Sequence, residues 1–203
     1  MRIRECGDAA ILVEVDGLDQ VLDLQAALDA DPVPGVIAAV PAARTVLLRL
    51  DPRRAGAAAA AAAAVRALPA RAGRRAEAEE LRLAVSYNGA DLGAVARHTG
   101  LTEREVVAAH TATPWTVAFC GFMPGFGYLA GGDPRLRVPR REESRTRVPA
   151  GAVGLAGEFT GVYPRSSPGG WQLIGHTDAA VWDLDREPPG LLRPGVRVRF
   201  EQV

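Results

Sequence analysis

The pattern of apolar and polar residues over the first 83 positions predicts a small unit of strands and helices. Alternating or clustered apolar residues between turn signals predict strands at 11–15, 35–40, 45–50 and 81–86. Apolar residues spaced by three and four predict a helix at 18–28, and alanine, the best helix former, predicts another at 55–68. The order β-α-β-β-α-β is ferredoxin-like. A polar linker or a poorly ordered loop is predicted at 69–80.

Two short helices are predicted to follow. Asp91 is a good N-cap for a helix at 92–98, which Gly100 would end. Thr102 and Glu105 have the spacing of a capping box, which predicts a second helix that ends near residue 110.

The rest of the chain predicts a β structure. From residue 116 onward, glycine, proline and short β-prone runs dominate, which favours an all-β barrel or sandwich. The stretch 194–203 alternates apolar and charged residues, as a strand with one exposed face does. The predicted fold class is therefore α+β, with domains at 1–83 and 84–203.

Composition and charge exclude several classes of protein. The 203 residues include 24 basic and 24 acidic residues, so the formal net charge is zero. A general nucleic-acid-binding protein needs a basic surplus to displace counterions from phosphate. No apolar run suggests a membrane span, and the N-terminus lacks the apolar region of a signal peptide. The sequence therefore predicts a cytoplasmic protein that binds neither nucleic acid nor membrane.

The residue types present also limit the chemistry. Every basic residue is an arginine, so chemistry that needs a Schiff-base or P-loop lysine is excluded. An anion must be held by arginine, backbone N–H groups or hydroxyls. Cys6 and Cys120 show no metal-ligand spacing. Reduced thiols are the simpler interpretation, and one disulfide is the alternative.

Residues 119–177 contain four features that suggest a site, each with a structural alternative. The glycine-rich stretch 121–127 is either a binding wall or a barrel corner filled by Phe122 and Phe126. The second feature is a set of six arginines, which form either a solvated strand face or a clamp for carboxylate or phosphate. These arginines are Arg135, Arg137, Arg140, Arg141, Arg145 and Arg147.

The other two features lie further along the chain. Residues 148–157 have small side chains. They indicate either tight packing near a site or a simple strand–turn–strand. The turn predicted at 166–170 exposes backbone N–H groups and is followed by Trp171. It is either an anion site with the tryptophan as an apolar wall or a hairpin turn with a core tryptophan.

The histidines offer one candidate for proton transfer. His98, His110 and His176 show no zinc-ligand spacing, so no metal site is predicted. His110 either stabilises the end of its helix or acts as a general acid/base, and His176 is equally ambiguous. Cys120, among aromatic and glycine neighbours, is expected to be an inert buried thiol. From residue types alone, the sequence predicts an apolar site, edged by arginine, for a small anion.

Several motifs in order resemble those of one family. They are YNGADL (87–92), GLTEREVVAAH (100–110), GFMPGFGYL (121–129), VPR (138–140), RTRVPAGAVGLAG (145–157), TGVYP (160–164) and SPGGWQLIGHT (167–177). Together they resemble the KipI / 5-oxoprolinase B-subunit family, also called allophanate hydrolase subunit 1 and similar to carboxyltransferase subdomains C and D. The resemblance covers nearly the whole chain. It implies a ferredoxin-like domain followed by a cyclophilin-like β-barrel.

The resemblance also implies activities and partners. The main expectation is the B subunit of a 5-oxoprolinase, which opens 5-oxoproline to glutamate with ATP and Mg²⁺ and also needs a C subunit and an A subunit. No cofactor is expected to bind tightly to this chain. The alternatives are a urea carboxyltransferase role and inhibition of a sensor histidine kinase. The sequence departs from the family at Ser144, where proline is common, and at Phe159, where glutamine is common.

The candidate site residues fall into two groups. His110, Arg145 and Arg147 are the candidate catalytic residues. The candidates for binding a substrate or a partner are Gly121, Phe122, Pro124, Gly125, Tyr128, Arg140, Pro149, Gly151, Tyr163, Gly169, Gly170 and Trp171.

Overall fold

A computed structural model describes residues 1–68 and 80–203. The chain divides into two compact units, Met1–Ala76 and Glu77–Val203, here called the N-terminal unit and the C-terminal unit. The linker or loop predicted at 69–80 lies outside the described residues except for Glu80, which begins a strand.

The N-terminal unit is a four-stranded antiparallel sheet with two helices. Its elements are β1 (Arg2–Glu5), β2 (Ala10–Glu14), α1 (Leu18–Ala30), β3 (Val36–Pro41), β4 (Thr45–Leu50) and α2 (Ala57–Ala67). The strand order is β1-β2-β4-β3. Strand and helix residues form a common core, in which Val13, Val21 and Ala61 are fully buried.

This arrangement does not confirm a ferredoxin-like order. The fourth strand of the sheet is β1, which pairs with β2 as a hairpin around a turn at Gly7, where φ is +64°. The strand predicted at 81–86 is present as Glu80–Val85, but it pairs in parallel with a strand of the C-terminal unit. Its apolar residues Leu83 and Val85 are buried in the core of that unit.

The C-terminal unit contains nine further strands and two helices among the described residues. They are β5 (Glu80–Val85), α3 (Leu92–Thr99), α4 (Glu103–Ala112), β6 (Trp115–Cys120), β7 (Gly127–Ala130), β8 (Arg145–Val148), β9 (Ala152–Ala156), β10 (Phe159–Val162), β11 (Ser167–Gly169), β12 (Gln172–His176) and β13 (Arg197–Gln202), with a 3-10 turn at Pro134–Leu136.

Seven of these strands form a nearly closed barrel. The strand order is β12-β9-β10-β7-β6-β13-β5. An antiparallel bridge between Ser86 and His176, with both backbone N···O distances at 2.9 Å, joins the two ends of the sheet. The mixed α+β fold with this barrel is consistent with the cyclophilin-like prediction. Strands β8 and β11 form a separate two-stranded sheet.

The C-terminal unit has two apolar clusters, and the smaller one supports the site. The larger cluster includes Trp115, Leu129 and Phe200 together with apolar residues of α3 and α4. The smaller one packs Phe126 and Tyr163 with other apolar side chains of the loops and strands. Leu129 belongs to one cluster and Phe126 to the other, so neighbouring apolar residues of one short motif have different structural roles.

The local helix signals have different outcomes. The capping box of α4 is confirmed, because Thr102 accepts from Glu105 N–H and Glu105 accepts from Thr102 N–H. Gly100 ends α3 in the left-handed conformation, as predicted. Asp91 precedes α3 but makes no side-chain capping hydrogen bond, because its carboxylate binds other groups. No described helix is long and apolar enough to cross a membrane.

Candidate functional site: an aromatic pocket edged by arginine

The loop between β6 and β7 is a tight turn held by its own backbone. Met123 N–H donates to the Gly121 carbonyl at 2.7 Å, and Gly121 N–H donates to the Phe126 carbonyl at 3.2 Å. Gly125 has φ +82°, and a Cβ there would lie 2.6 Å from Cβ of Trp182. Glycine is therefore required at 125 for both backbone conformation and space.

Phe122 is the unusual residue of this loop. Its φ of +66° makes it the one non-glycine residue with positive φ in the described chain. Its side chain is 59% exposed although it is large and apolar. An aromatic residue held in a strained conformation at the surface suggests a functional constraint on this position.

A small pocket, called here the aromatic pocket, includes part of this loop. Its volume is about 210 Å³. Its walls come from separate segments of the C-terminal unit. The lining residues are Phe122, Phe126, Tyr128, Arg140, Ser144, Tyr163, Pro168, Gly169, Gly170 and Trp171.

Edge-to-face aromatic contacts build the walls of the pocket. The Phe126 ring lies 5.2 Å from both the Tyr163 and the Trp171 rings, at steep interplanar angles. Tyr128 packs against Trp171 at 5.5 Å and against Phe159 at 5.7 Å. Such contacts stabilise ring pairs beyond their burial, so the walls are well fixed. Phe159, where the family often has glutamine, thus supports Tyr128.

The glycine turn of the pocket has no room for side chains. A Cβ on Gly169 would lie 2.5 Å from the Tyr163 hydroxyl, and one on Gly170 would lie 2.8 Å from Oγ of Ser144. Ser144, where the family often has proline, therefore packs against this turn. The close approach of backbone to the pocket is what the two glycines provide.

Arg140 is the ionised group of the pocket. It lines the pocket and, among the residues that the structure describes, has no hydrogen-bond or ion-pair partner. Burial raises the pKa of Tyr128 and of Tyr163, and the charge of Arg140 acts in the opposite direction on both. The two phenols are therefore neutral donors at neutral pH, beside a guanidinium whose own donors are unused.

The neighbouring arginines are held by a buried carboxylate. Asp91 is 3% exposed and accepts from Nη1 of Arg141 at 2.9 Å, Nη2 of Arg145 at 2.8 Å and the Leu173 N–H at 2.7 Å. Burial alone would raise the pKa of Asp91, but the hydrogen bonds from Arg145 and Leu173 and the charges of both arginines hold it below its ordinary value. These four groups are called here the Asp91 cluster.

The two candidate catalytic arginines differ in setting. Arg145 pairs with Asp91, and its Nη1 atom is buried with no hydrogen-bond partner among the described atoms. Arg147 is exposed and donates through Nε to Oγ of Ser166 at 3.2 Å. Neither lines the aromatic pocket. Of the three candidate arginines, the structure places only Arg140 at the pocket wall.

A second cavity, called here the proline-lined cleft, also uses the β6–β7 loop. Its volume is about 560 Å³. It shares only Phe122 with the aromatic pocket. The lining residues are Cys120, Gly121, Phe122, Met123, Pro124, Gly125, Trp182, Pro188, Pro189, Gly190, Leu192, Arg193 and Pro194.

His110 lies in the interior and lines neither cavity. It is fully buried, with Nδ1 2.7 Å from the Tyr87 hydroxyl and Nε2 2.9 Å from Oγ1 of Thr160. Thr160 donates its hydroxyl proton to the Gly154 carbonyl, so it accepts from Nε2–H and the ring accepts from Tyr87. Burial lowers the pKa of His110 to about 3. This geometry argues against the acid/base role that the sequence suggests, because both nitrogens are occupied inside the core.

The other binding candidates divide between the two cavities. Tyr128, Arg140, Tyr163, Gly169, Gly170 and Trp171 line the aromatic pocket, Gly121, Pro124 and Gly125 line the cleft, and Phe122 lines both. Pro149 and Gly151 line neither cavity. Gly151 has φ +78° and lies in the turn between β8 and β9, where its Cβ would lie 2.7 Å from Nε2 of His176.

The Asp91 cluster is not evident in the sequence. The position of Asp91 before a helix predicts a cap, and nothing distinguishes Arg141 from the other arginines. The structure instead gives the Asp91 carboxylate two arginines and a backbone N–H group. A carboxylate and a run of arginines in one chain are only a weak signal for such pairing.

Cys120 lines the proline-lined cleft, whereas Cys6 lies in the N-terminal unit. Among the described residues, both cysteines are free. Burial raises the pKa of the Cys120 thiol, which donates to the Leu192 carbonyl. No metal-binding cluster of acidic, histidine or cysteine side chains occurs in residues 1–68 and 80–203.

With this fold and pocket in place, the chain can be assigned to a family. It belongs to the family described as the carboxyltransferase domain, subdomain C and D, whose model matches residues 1–192.

Particular relatives sharpen this assignment. The chain is 34% identical to the 5-oxoprolinase B subunit of Bacillus subtilis over 224 residues, which covers 100% of this chain and 92% of that protein. It is 50% identical to the 5-oxoprolinase B subunit of Escherichia coli O157:H7 over 127 residues, or 61% of this chain and 58% of that protein. It also resembles the crystal structure of TTHA0988, with a TM-score of 0.76 and 38% identity over 100% of this chain and 40% of that one. The matched regions therefore span less than two thirds of the length of the last two proteins.

Proposed function

We propose that this chain is the B subunit of an ATP-dependent 5-oxoprolinase and forms its active site jointly with a C subunit. The relatives named as 5-oxoprolinase B subunits support this function. The observation in the structure that carries it is the aromatic pocket with the unpaired Arg140 at its wall. A small apolar pocket with one guanidinium suits a flat ring that bears one carboxylate, which describes 5-oxoproline.

The residues of the pocket have distinct binding roles in this proposal. Arg140 pairs with the substrate carboxylate, since a guanidinium can donate two parallel hydrogen bonds to its oxygens. The rings of Phe122 and Trp171 hold the lactam ring and exclude water. The hydroxyls of Tyr128 and Tyr163 are neutral, since burial moves their pKa further above neutral pH, and they can donate to the lactam oxygen.

The reaction requires activation of an unreactive amide. The lactam oxygen attacks the γ-phosphorus of ATP, the bond to the leaving ADP breaks, and the lactam N–H proton is lost. Water then adds to the phosphorylated carbon, the ring C–N bond breaks with protonation of the nitrogen, and γ-glutamyl phosphate forms. A second water releases phosphate and leaves glutamate. Each step builds negative charge that nearby donors and cations can stabilise.

Other groups of this chain would complete such a site with the partner. Arg145 and Arg147 lie on β8 and remain candidates to stabilise phosphoryl charge. The backbone N–H groups of the turn at 167–170 can serve the same purpose. Mg²⁺ would accompany ATP in the complex and neutralise its phosphates. The A subunit would take part in the complete enzyme.

Reconstitution with the A and C subunits tests this function. We expect the complex to hydrolyse ATP and form glutamate when 5-oxoproline is present. Proline, which lacks the lactam carbonyl, and 2-pyrrolidone, which lacks the carboxylate, serve as matched controls and should support neither reaction. Equal ATP hydrolysis with and without 5-oxoproline, with no glutamate, would exclude the function.

A urea carboxyltransferase role is the second candidate, and it is favoured by the description of the matching family. That role requires a biotin carrier. Transfer of a carboxyl group from carboxybiotin to urea by the purified complex would support it. The third prediction, inhibition of a sensor histidine kinase, has no feature of the described residues in its favour.

A further inference from the structure

Asp91 connects three segments around the aromatic pocket. It directly precedes α3, binds Arg141 and Arg145 of the arginine segment 140–147, and accepts from the backbone of Leu173 in β12. The segment and the residue before it, Pro139, have two further backbone anchors beside the pocket. Arg141 N–H donates to the Gly170 carbonyl at 2.8 Å, and the Gln172 side chain donates to the Pro139 carbonyl at 3.2 Å.

Burial of this carboxylate has a cost that its partners offset. The Asp91 side chain is 4% exposed, whereas those of Arg141 and Arg145 are 35% and 22% exposed. A buried carboxylate is stable when charged donors and an N–H group satisfy its oxygens. Removal of one member of such a cluster leaves the others unpaired in a poorly hydrated place. The geometry of the arginine segment therefore depends on Asp91.

The cluster also decides which arginine is available to a ligand. Arg141 and Arg145 donate to Asp91, and Arg141 donates again through Nε to the Glu143 carbonyl. Arg140 is next to Arg141 in the chain but uses none of its donors on a described residue. The pocket lining therefore contains one guanidinium with its hydrogen-bonding groups free.

We propose that Asp91 is a positioning residue, which fixes the arginine segment so that the aromatic pocket presents Arg140 alone to a small monocarboxylate. The identity of that ligand rests on the proposed function, and the positioning itself does not. By engaging Arg141 and Arg145 in ion pairs, Asp91 disfavours ligands with several negative charges, such as a polyphosphate. Asp91 thus contributes specificity without touching the ligand.

The first experiment measures position without any ligand. Hydrogen–deuterium exchange is followed in the full chain, in peptides that cover 138–148 and 168–174. Asp91→Asn should raise exchange in both peptides about tenfold, because the hydrogen bonds to both arginines weaken. Asp133→Asn is the matched control, since Asp133 also binds an arginine, Arg135, and lies outside the pocket lining. It should leave both peptides unchanged.

The second experiment measures the consequence for the ligand. In the complex with the A and C subunits, Asp91→Asn should raise KM for 5-oxoproline about tenfold, whereas a mere loss of folded enzyme would lower the apparent kcat and leave KM unchanged. Inhibition by tripolyphosphate competing with 5-oxoproline should become stronger, since Arg141 and Arg145 are released. Asp133→Asn should show neither change relative to the wild-type chain.

A double-mutant cycle separates positioning from a general loss of stability. If Asp91 acts through Arg145, then Arg145→Gln should raise KM to a similar extent, and Asp91→Asn combined with Arg145→Gln should be no worse than either alone. Additive effects would overturn the inference. Arg145→Gln and Arg141→Gln also carry the test if Asp91→Asn does not fold.

The outcomes separate this inference from the proposed function. If the wild-type complex does not act on 5-oxoproline, the proposed function fails, while the exchange experiment still decides whether Asp91 holds the segment. Unchanged exchange in Asp91→Asn overturns the positioning role. Faster exchange with an unchanged KM overturns its link to the ligand.

Discussion

The aromatic pocket and the proline-lined cleft share Phe122 of the β6–β7 loop, but they differ in volume and in the chemistry of their other lining residues. The cleft has more than twice the volume, about 560 Å³ against about 210 Å³. The pocket has fewer residues but an unpaired guanidinium, two neutral phenols and aromatic walls fixed by ring contacts. Volume alone would favour the cleft.

The difference shows why convergent polar groups, rather than size, make the smaller cavity the candidate binding site for a small anion. A carboxylate that leaves water needs donors in fixed positions. Of these two cavities, the smaller one brings such donors together with apolar walls. The larger is lined mainly by proline, glycine and apolar side chains. Substitutions that affect the two cavities unequally can therefore test which of them binds the substrate.

Removal of the arginine at each cavity should give the largest contrast. We expect Arg140→Ala to raise KM for 5-oxoproline about 100-fold in the complex, because a charge-assisted pair is worth about 3 kcal/mol. Arg193→Ala, which removes the arginine that lines the cleft, should leave KM within about twofold. Steady-state kinetics measure both. Similar increases in KM from the two variants would contradict the prediction that the substrate binds in the aromatic pocket and not in the cleft.

Removal of the shared wall should give a smaller loss of affinity and little loss of stability. Phe122→Gly should raise KM about tenfold because one side of the pocket opens. Its free energy of unfolding should stay within about 1 kcal/mol of wild type, because relief of the strained φ offsets the lost ring contacts. Kinetics and urea denaturation measure the two quantities. A large loss of stability would show that the ring contacts of Phe122 outweigh any strain in its φ.

Two glycines with positive φ near the loop separate backbone strain from packing. Gly131→Ala should cost about 1–2 kcal/mol of stability, since φ is +89° and its Cβ would meet no atom within 4 Å. Gly125→Ala should cost about 2 kcal/mol more, because its Cβ would press on Trp182. All three tryptophans lie in the C-terminal unit, so their fluorescence follows its unfolding. In each of the two variants, KM for 5-oxoproline should rise about threefold at most. Equal costs would show that the Trp182 contact does not limit residue 125.

The smallest effect on substrate binding is expected for protonation of His110. Its folded pKa of about 3 lies below the unfolded value of about 6.5, so the unfolded state binds more protons between these values. The stability from neutral His110 is complete above pH 6.5 and is lost as pH falls toward 3, by about 1.4 kcal/mol per pH unit.

Comparison with a variant isolates this dependence. His110→Gln removes the titration, so the stability difference between wild type and variant should shrink as pH falls from 6.5 to 4. Urea denaturation across this range measures it, and the pH profile of kcat should be the same in both proteins. If kcat of the wild type, but not of His110→Gln, depended on one protonation step, His110 would be supported as a general acid/base.

Much of the local structure is predictable because it depends on neighbours in the chain. The strand at 45–50 occurs within the same bounds, and the Thr102–Glu105 capping box forms as expected. The helix predicted at 18–28 extends to Ala30. The β1–β2 hairpin at the N-terminus is not predicted as such, because its first strand is only four residues long, largely exposed and contains one apolar residue, Ile3.

The candidate site is predictable in its segments but not in its pairings. The sequence indicates an apolar site edged by arginine, and the glycine-rich loop, Arg140 and Trp171 do lie together. It cannot rank the six arginines, because Asp91, which binds two of them, is 50 positions from Arg141 and 54 from Arg145 in the chain. The role of His110 stays ambiguous in the sequence for the same reason, since its partners Tyr87 and Thr160 are remote from it in the chain.

The pairing of the first and last strands of the C-terminal unit also bears on when the site can form during folding. Strand β5 pairs with β13, and Arg82 binds Glu201 across 119 positions of the chain. Contacts of such separation carry a large loop-closure cost and form slowly. During synthesis, β5 leaves the ribosome long before its partner β13 exists, so its edge stays open meanwhile. The pocket residues lie between these strands in sequence, so a competent pocket is one of the last features the nascent chain acquires.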